Sequence, residues 1–132
     1  MRVLALDLGS VRVGVAISAA GIALPLTVLE NGPKLKAKLM EIVREQKADW
    51  LIVGQPMGLS GTPTAATIHF AEMAAEIAEA LGLPYELVDE RFSSQIASKA
   101  LAEAGVNSRN RRGKVDDLAA AGILQAWLDS CG

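Results

Sequence analysis

The sequence predicts one α/β domain built on a mixed β-sheet. Residues 1–30 form three consecutive strand-like segments joined by short turns, which is typical of an antiparallel meander. After them, helical and strand patterns alternate, which is typical of strands added in parallel through helical crossovers. A chain of 132 residues can form one domain with a real core but not two ordinary ones. We therefore expect residues 1–132 to form a single domain.

The meander is predicted from three apolar segments with turn residues between them. Residues 2–7, 11–18 and 22–29 are expected to be its strands. Gly9-Ser10 and Ala20-Gly21 are expected to be the connections, because glycine and small polar residues favour tight turns.

The rest of the chain is predicted to alternate between helices and buried strands. Helices are indicated by apolar residues at helical spacing, and buried parallel strands by short continuous apolar runs. The predicted order is a helix from Pro33 to about Lys47, a strand over 50–56, a loop over 58–63, a helix over 64–81, a strand over 85–91, a helix from Ser93 or Ser94 to about Ala104, a basic loop over 107–114, and a helix over about 115–129.

Composition excludes several classes of protein. A single cysteine, Cys131, excludes an internal disulfide framework and a cysteine zinc site, and it fits a reducing cytoplasm. The single histidine, His69, lies within a predicted helix and is expected to be structural. No apolar run reaches the roughly 18–20 residues of a membrane span, and Asp7 interrupts the region where a signal peptide would need apolar residues.

Basic residues are concentrated in one segment although the net charge is −2. The stretch "NSRNRRGK", 107–114, holds Arg109, Arg111, Arg112 and Lys114. Because salt screens distant charges, a local patch can bind phosphates whatever the net charge is. The alternative is a solvated basic loop with no ligand.

Acids at three places of the chain stand at strand or helix ends or in apolar surroundings. Asp7 interrupts the first strand, Glu90 ends the last one in "VDER", and Asp116 and Asp117 open the final helix. Each has an ordinary interpretation: Asp7 as a turn residue before glycine, Glu90 in an ion pair with Arg91, and Asp116 as a helix N-cap.

The functional interpretation takes the three acids together. Parallel strands flanking the first strand would bring Asp7 and Glu90 into one crevice, and a helix across the sheet could bring Asp116 there. Three adjacent carboxylates repel one another unless cations hold them. Oxygen ligands favour Mg²⁺ or Mn²⁺, and two such ions can hydrolyse a phosphodiester. The helical pattern does not choose between Asp116 and Asp117.

Four blocks of the sequence resemble the YqgF/RuvX family. They are "LALDLGSVRVGVAIS", "LIVGQPMGLSG", "LVDERFSS" and "KVDDLAAAGILQAWL", in the family's order and covering nearly the whole chain. This family comprises bacterial proteins described as Holliday-junction resolvases or pre-16S rRNA nucleases. The resemblance implies a ribonuclease H-like fold, with a mixed five-stranded sheet and helices on both faces.

The resemblance also assigns residues. It implies catalytic, metal-binding acids at Asp7, Glu90 and Asp116, the last because it precedes two positions and then Ala119-Ala120. Arg12 matches the arginine of the first hairpin and would face a phosphate rather than be a surface charge on a turn. Arg91 matches the D-E-R block and would orient Glu90 or contact nucleic acid. Gly58 departs from the polar residue that is common in the family.

A divalent-metal-dependent nuclease is therefore the function that we expect, acting on RNA or on branched or single-stranded DNA. A catalytically idle nucleic-acid-binding module is the first alternative, and an actin-like ATP-binding domain, whose phosphate loop also has a pattern like "DLGS", is the second. The second would need a partner domain that 132 residues do not supply. A resolvase of branched DNA should be a two-fold homodimer, whereas an rRNA-processing nuclease could act as a monomer.

Overall fold

The computed structural model describes residues 1–55, 65–89 and 108–131, and it describes the backbone alone for 108–117 and for Gln55, Ala66, Asp89 and Cys131. The elements are β1 Val3–Leu8, β2 Arg12–Ala19, β3 Ile22–Glu30, α1 Leu35–Gln46, β4 Trp50–Gln55, α2 Ala65–Leu81, β5 Tyr85–Asp89 and α3 Ser108–Cys131. The loop predicted over 58–63 and the helix predicted over 93–104 lie outside the described residues.

The five strands form one mixed sheet in the order β3-β2-β1-β4-β5. β1 pairs antiparallel with β2, and β2 with β3, so the predicted meander is confirmed. β4 pairs parallel with β1, and β5 parallel with β4. From the sequence, parallel strands are expected to flank β1 directly. Of the two parallel strands, β4 is the neighbour of β1, and β5 lies one strand further from Asp7.

Helices cover both faces of the sheet, as predicted, because successive side chains of a strand point to opposite faces. On one face Leu4 and Leu6 of β1 pack with Leu39 of α1 and Ile77 of α2. On the other face the partners come from α3. This second cluster comprises Val3, Ala5, Ala16, Ile52, Ala120, Ala121, Ile123 and Leu124. Alanines on both sides of the contact have short side chains, which allows α3 to lie close to the sheet.

The final helix is longer than the sequence predicted, and the prediction of a basic loop over 107–114 is wrong from Ser108 onwards. α3 begins at Ser108, so the positions of Arg109, Arg111, Arg112 and Lys114 are helical. Arginine and lysine are good helix formers, and the one glycine among them costs only about 1 kcal/mol. Packing of the downstream turns against the sheet sustains the helix through that residue.

The longer helix also changes the place of the two aspartates. Positions 116 and 117 lie about two turns inside α3 rather than at its start. An N-cap residue must precede the first turn, so neither residue caps this helix. Aspartate is a poor residue for a helix interior, and its presence there twice requires another explanation.

Different elements meet at the two ends of the sheet. We call the end where β1, β4 and β5 finish the carboxyl end, and the opposite end the amino end. α1 and α2 both begin at the carboxyl end, because each follows a strand that finishes there. In α3, Gln125 contacts the β2–β3 turn at the amino end. The first turns of α3 therefore extend towards the carboxyl end.

Candidate active site at the carboxyl end of the sheet

Asp7 lies near the carboxyl end of the central strand β1. By strand alternation it faces the α3 side of the sheet, on the same face as Val3 and Ala5. Those two residues are at most 1% exposed, whereas Asp7 is half-buried. The carboxylate thus stands where the packed interface with α3 gives way to a more open region.

Glycines occupy the positions on both sides of Asp7. In the sheet register Asp7 pairs with Gly14 of β2 and with Gly54 of β4. Gly54 in turn pairs with Val88 of β5. Residues opposite each other on neighbouring strands share a face, and their side chains would normally touch. Asp7 is therefore the one residue of the row of Gly14, Asp7 and Gly54 that carries a side chain; we call this row, in which both glycines are buried, the trough.

A tight turn connects Asp7 to Arg12. The Gly9 N–H donates to the Arg12 carbonyl oxygen at 2.9 Å. A Cβ atom at position 9 would lie 2.6 Å from that same oxygen, which real Cβ atoms do not tolerate, so the turn requires glycine. Arg12 is half-buried and is the first residue of β2. Because alternate residues of a strand share a face, Arg12 lies on the same face as Gly14 and Asp7. The turn therefore holds the two predicted site residues at one end of one face.

The other predicted site residues have no described side chains. Glu90 and Arg91 follow β5 directly and lie outside the described residues. The four basic residues of 109–114 and Asp116 belong to the part of α3 that is described by its backbone alone. Among the side chains that are described, no group of three or more could hold a metal ion. Asp7 and Arg12 are thus the two predicted site residues whose surroundings can be read directly.

His69 lies near the start of α2, which covers the face of the sheet opposite to that of Asp7, and Trp50 lies at the amino end, at the start of β4. His69 is exposed on α2, with its ring centroid 5.4 Å from that of Phe70. An exposed Trp50 or Trp127 would have indicated a dimer surface, but both are half-buried. The Trp127 indole Nε1–H donates to Glu86 Oε2 at 2.7 Å. None of the described helices is both long and apolar enough to cross a membrane.

Sequence reasoning missed three residues at this end of the molecule. Gly14 and Gly54 are visible in the strands, but only the pairing register sets them beside Asp7. Asn31 follows β3 and reaches the Gly9 carbonyl oxygen. The spacing of apolar residues cannot predict this contact, since its two partners are 22 residues apart in the sequence.

A family model and curated relatives match the chain over nearly its full length. The model described as "RuvX: Holliday junction resolvase" matches residues 1–130. A protein of Anaeromyxobacter sp. (strain Fw109-5), named "Putative pre-16S rRNA nuclease", is 39% identical over 133 residues, which cover 98% of this chain and 97% of that protein. A protein of the same name from Maridesulfovibrio salexigens is 38% identical over 132 residues, or 97% and 98% of the two chains.

Two solved structures share the fold at low sequence identity. RuvC of T. thermophilus, in complex with a Holliday junction substrate, superposes with a TM-score of 0.62 at 16% identity, over 99% of this chain and 95% of that one. The Fowlpox virus resolvase, in complex with Holliday junction DNA, gives a TM-score of 0.52 at 12% identity, over 99% of both chains. The mixed five-stranded fold is therefore ribonuclease H-like, as the sequence predicted.

Proposed function

The chain belongs to the RuvX family, and from this premise we propose that it is a divalent-metal-dependent nuclease that hydrolyses phosphodiester bonds. Its nuclease-named relatives support a nucleic-acid hydrolase at the level of reaction class. The finer alternatives are 5′-end processing of pre-16S rRNA and resolution of branched DNA.

The single observation that carries the proposal is the surroundings of Asp7. Asp7 is half-buried, and its two neighbours in the trough, Gly14 and Gly54, have no side chains. Strand glycines commonly mark places where a ligand approaches the backbone. Ligands of α/β sheets bind at the carboxyl ends of the strands, where Asp7 lies.

Chain connectivity supports the inclusion of Glu90. Neighbouring strands are about 4.8 Å apart, so the Cα atoms of Asp7 and Val88, two strands apart in one register row, are separated by about 10 Å. Glu90 follows Val88 by two residues, and its Cα therefore lies within about 7.6 Å of that of Val88. A glutamate side chain can span much of the remaining distance to a shared ion.

The path of α3 supports the inclusion of an aspartate from that helix. α3 packs across β1 and β2 on the face of Asp7, and positions 116 and 117 lie towards the carboxyl end, beyond the buried Ala120. Both positions are within one turn of Ala120, so the helical register alone does not choose between them. The family pattern chooses Asp116.

The donor set fits hard divalent ions. Carboxylate oxygens from Asp7, Glu90 and Asp116 would hold Mg²⁺ or Mn²⁺, whose ligands are oxygens. When bound, such ions supply activation of a water molecule and stabilisation of the leaving oxygen. Arg12, held at the end of the Gly9 turn, would bind the phosphate next to the scissile bond. Arg91 would orient Glu90, and the basic first turns of α3 would bind the backbone of the substrate strand.

The test is cleavage by wild type and Asp7→Asn across a panel of substrates. The panel holds a four-way DNA junction, single-stranded DNA and a ribosomal precursor RNA, each with Mn²⁺ and with a chelator. We expect Mn²⁺-dependent cleavage of at least one substrate by wild type. Asp7→Asn should lose at least about a hundredfold in rate, because a metal ligand is removed, and should keep a thermal midpoint near that of wild type.

Glu41→Gln is the matched control, since Glu41 is an exposed carboxylate on α1. It should cleave at the wild-type rate. Wild-type rates in Asp7→Asn would reject the proposed site. A wild-type protein that binds these substrates but cuts none would favour the idle binding module. The substrate that is cut fastest decides between the RNA and the branched-DNA alternatives.

A further inference from the structure

Asn31 ties together the strand ends that surround the candidate site. It follows Glu30, the last residue of β3, and its backbone N–H donates to the Val11 carbonyl oxygen at 2.8 Å. Its side-chain Nδ2 donates to the Gly9 carbonyl oxygen at 2.7 Å. Two hydrogen bonds from one residue thus hold both ends of the 9–11 loop between Asp7 and Arg12.

The chemistry of the contact requires an amide donor at this position. The Gly9 carbonyl oxygen can only accept, so the Asn31 atom that faces it is the NH₂ group. The same nitrogen lies 3.9 Å from Met73 Sδ of α2, where sulfur is a weak acceptor. Asn31 is half-buried, so loss of the donor would leave the Gly9 carbonyl oxygen without this partner in a partly dry environment.

The other turn of the meander carries a clamp of the same kind. At the amino end, Gln125 Oε1 accepts from the Ala23 N–H at 3.0 Å, and its Nε2 donates to the Gly21 carbonyl oxygen at 3.4 Å. Both hairpin turns are therefore fastened by a side-chain amide from outside the turn. Of the two clamps, the one made by Asn31 acts on the turn that joins Asp7 to Arg12. Comparing variants of Asn31 with variants of Gln125 therefore separates a local effect on the site from a general effect on the meander.

We propose that Asn31 is a positioning residue for the reaction: it fixes the Gly9–Arg12 turn, and through it the relative placement of Asp7 and Arg12. This inference rests on the proposed nuclease function. The turn already depends on the 2.9 Å bond from the Gly9 N–H to the Arg12 carbonyl oxygen. Asn31 binds the carbonyl groups of Gly9 and Val11 in the same turn. Loss of its side-chain amide would therefore free the turn to shift while the strands remain paired.

A shift of this size matters more to turnover than to substrate binding. A displacement of about 1 Å of a group that must align with the reacting atoms can cost about a hundredfold in rate. Binding of a nucleic-acid strand is spread over many phosphate contacts and depends little on one turn. The signature of a positioning role is therefore a lower kcat with a nearly unchanged KM.

The experiment compares Asn31→Asp, Asn31→Ala and Gln125→Ala in the full-length protein. Asn31→Asp keeps the shape of the side chain and replaces the donor with an oxygen. We measure kcat and KM in Mn²⁺ well below the melting temperature, the thermal midpoint, and the hydrogen exchange of the Gly9 amide. Both Asn31 variants should lose about 10- to 100-fold in kcat, with KM within about twofold, and the Gly9 amide should exchange faster. Gln125→Ala should keep the wild-type kcat even where its thermal midpoint falls.

Each result is decisive. Wild-type kcat in Asn31→Asp, from an enzyme that does cleave, would overturn the inference and leave the proposed function standing. An equal loss of kcat in Gln125→Ala would assign the effect to general loosening of the meander and would also overturn it. A wild-type protein that cleaves nothing would reject the proposed function itself, and the positioning role with it.

Discussion

At the scale of single residues, the puzzle is a carboxylate inside a central strand. Asp7 lies on the same face as the buried Val3 and Ala5, yet it is itself half-buried, and Gly14 and Gly54 flank it. Because Asp7 is only half-buried, it keeps part of its contact with solvent, which lowers the cost of placing a carboxylate there. The sequence identified Asp7 because an acid in an apolar run is unusual. It could not identify the two glycines as neighbours, because pairing register is a property of the assembled sheet.

A methyl group in the trough should therefore harm activity more than stability. In Gly54→Ala and Gly14→Ala the new Cβ stands about 5 Å from that of Asp7 and takes space that an ion or a phosphate would use. We expect cleavage to fall by about tenfold or more. The thermal midpoint should fall less than the activity does. Both glycines are buried, so the methyl group has a packing cost, but alanine costs less backbone entropy than glycine.

Gly32→Ala is the control for these variants, since a Cβ there meets no atom within 4 Å. It should retain wild-type cleavage. Full activity in both Gly14→Ala and Gly54→Ala would show that the trough is not used.

At the scale of elements, α3 unites packing and charge in one helix. Its later turns bury Ala120, Ile123 and Leu124 against the sheet, and its earlier turns carry the basic residues and both aspartates. The sequence pattern revealed the apolar part and misjudged where the helix begins. Glycine and a run of polar residues look like a loop locally, whereas packing further along the chain decides whether the helix continues.

The basic turns of α3 should contribute to substrate affinity through salt-dependent binding of phosphates. Replacing Arg109, Arg111 and Arg112 with alanine keeps the helix, because alanine is the best helix former. Binding should weaken, and the slope of log affinity against log salt should flatten by about 0.7–0.9 for each phosphate that the variant no longer neutralises. Arg44→Ala, on the last turn of α1 near the amino end, should leave the slope unchanged. If the triple variant keeps the wild-type slope of log affinity against log salt, the three arginines form a solvated basic surface that binds no phosphate.

The same helix allows a test of the choice between neighbouring aspartates. Positions 116 and 117 differ by about 100° around the helix axis, and the family pattern assigns the metal ligand to Asp116. Asp116→Asn should lose metal-dependent cleavage, and Asp117→Asn should keep most of it. Neither should lower the thermal midpoint by much, because neither residue caps the helix. An inactive Asp117→Asn beside an active Asp116→Asn would move the third ligand by one residue.

At the scale of the whole molecule, the sequence predicted what depends on local pattern. Strand alternation and helical spacing are written into short stretches, and they predicted the meander, both crossover helices and a sheet covered on two faces. Long-range choices were not accessible in the same way. The insertion of β4 between β1 and β5, and the reach of Asn31 back to Gly9, follow from how the elements meet. The residues of the candidate site stay a prediction from the sequence, and the sequence did not reveal what surrounds Asp7 and Arg12.

The long reach of α3 has a consequence for synthesis. Gln125 contacts Ala23 across 102 residues, and the ribosome releases the N-terminal meander first. Among the described elements, α1 and α2 cover one face of the sheet, and the cover on the other face, over Val3, Ala5, Ala16 and Ile52, comes from α3. A nascent chain that stalls before residue 108 therefore lacks the described cover of this apolar face, and we expect such a chain to bind chaperones.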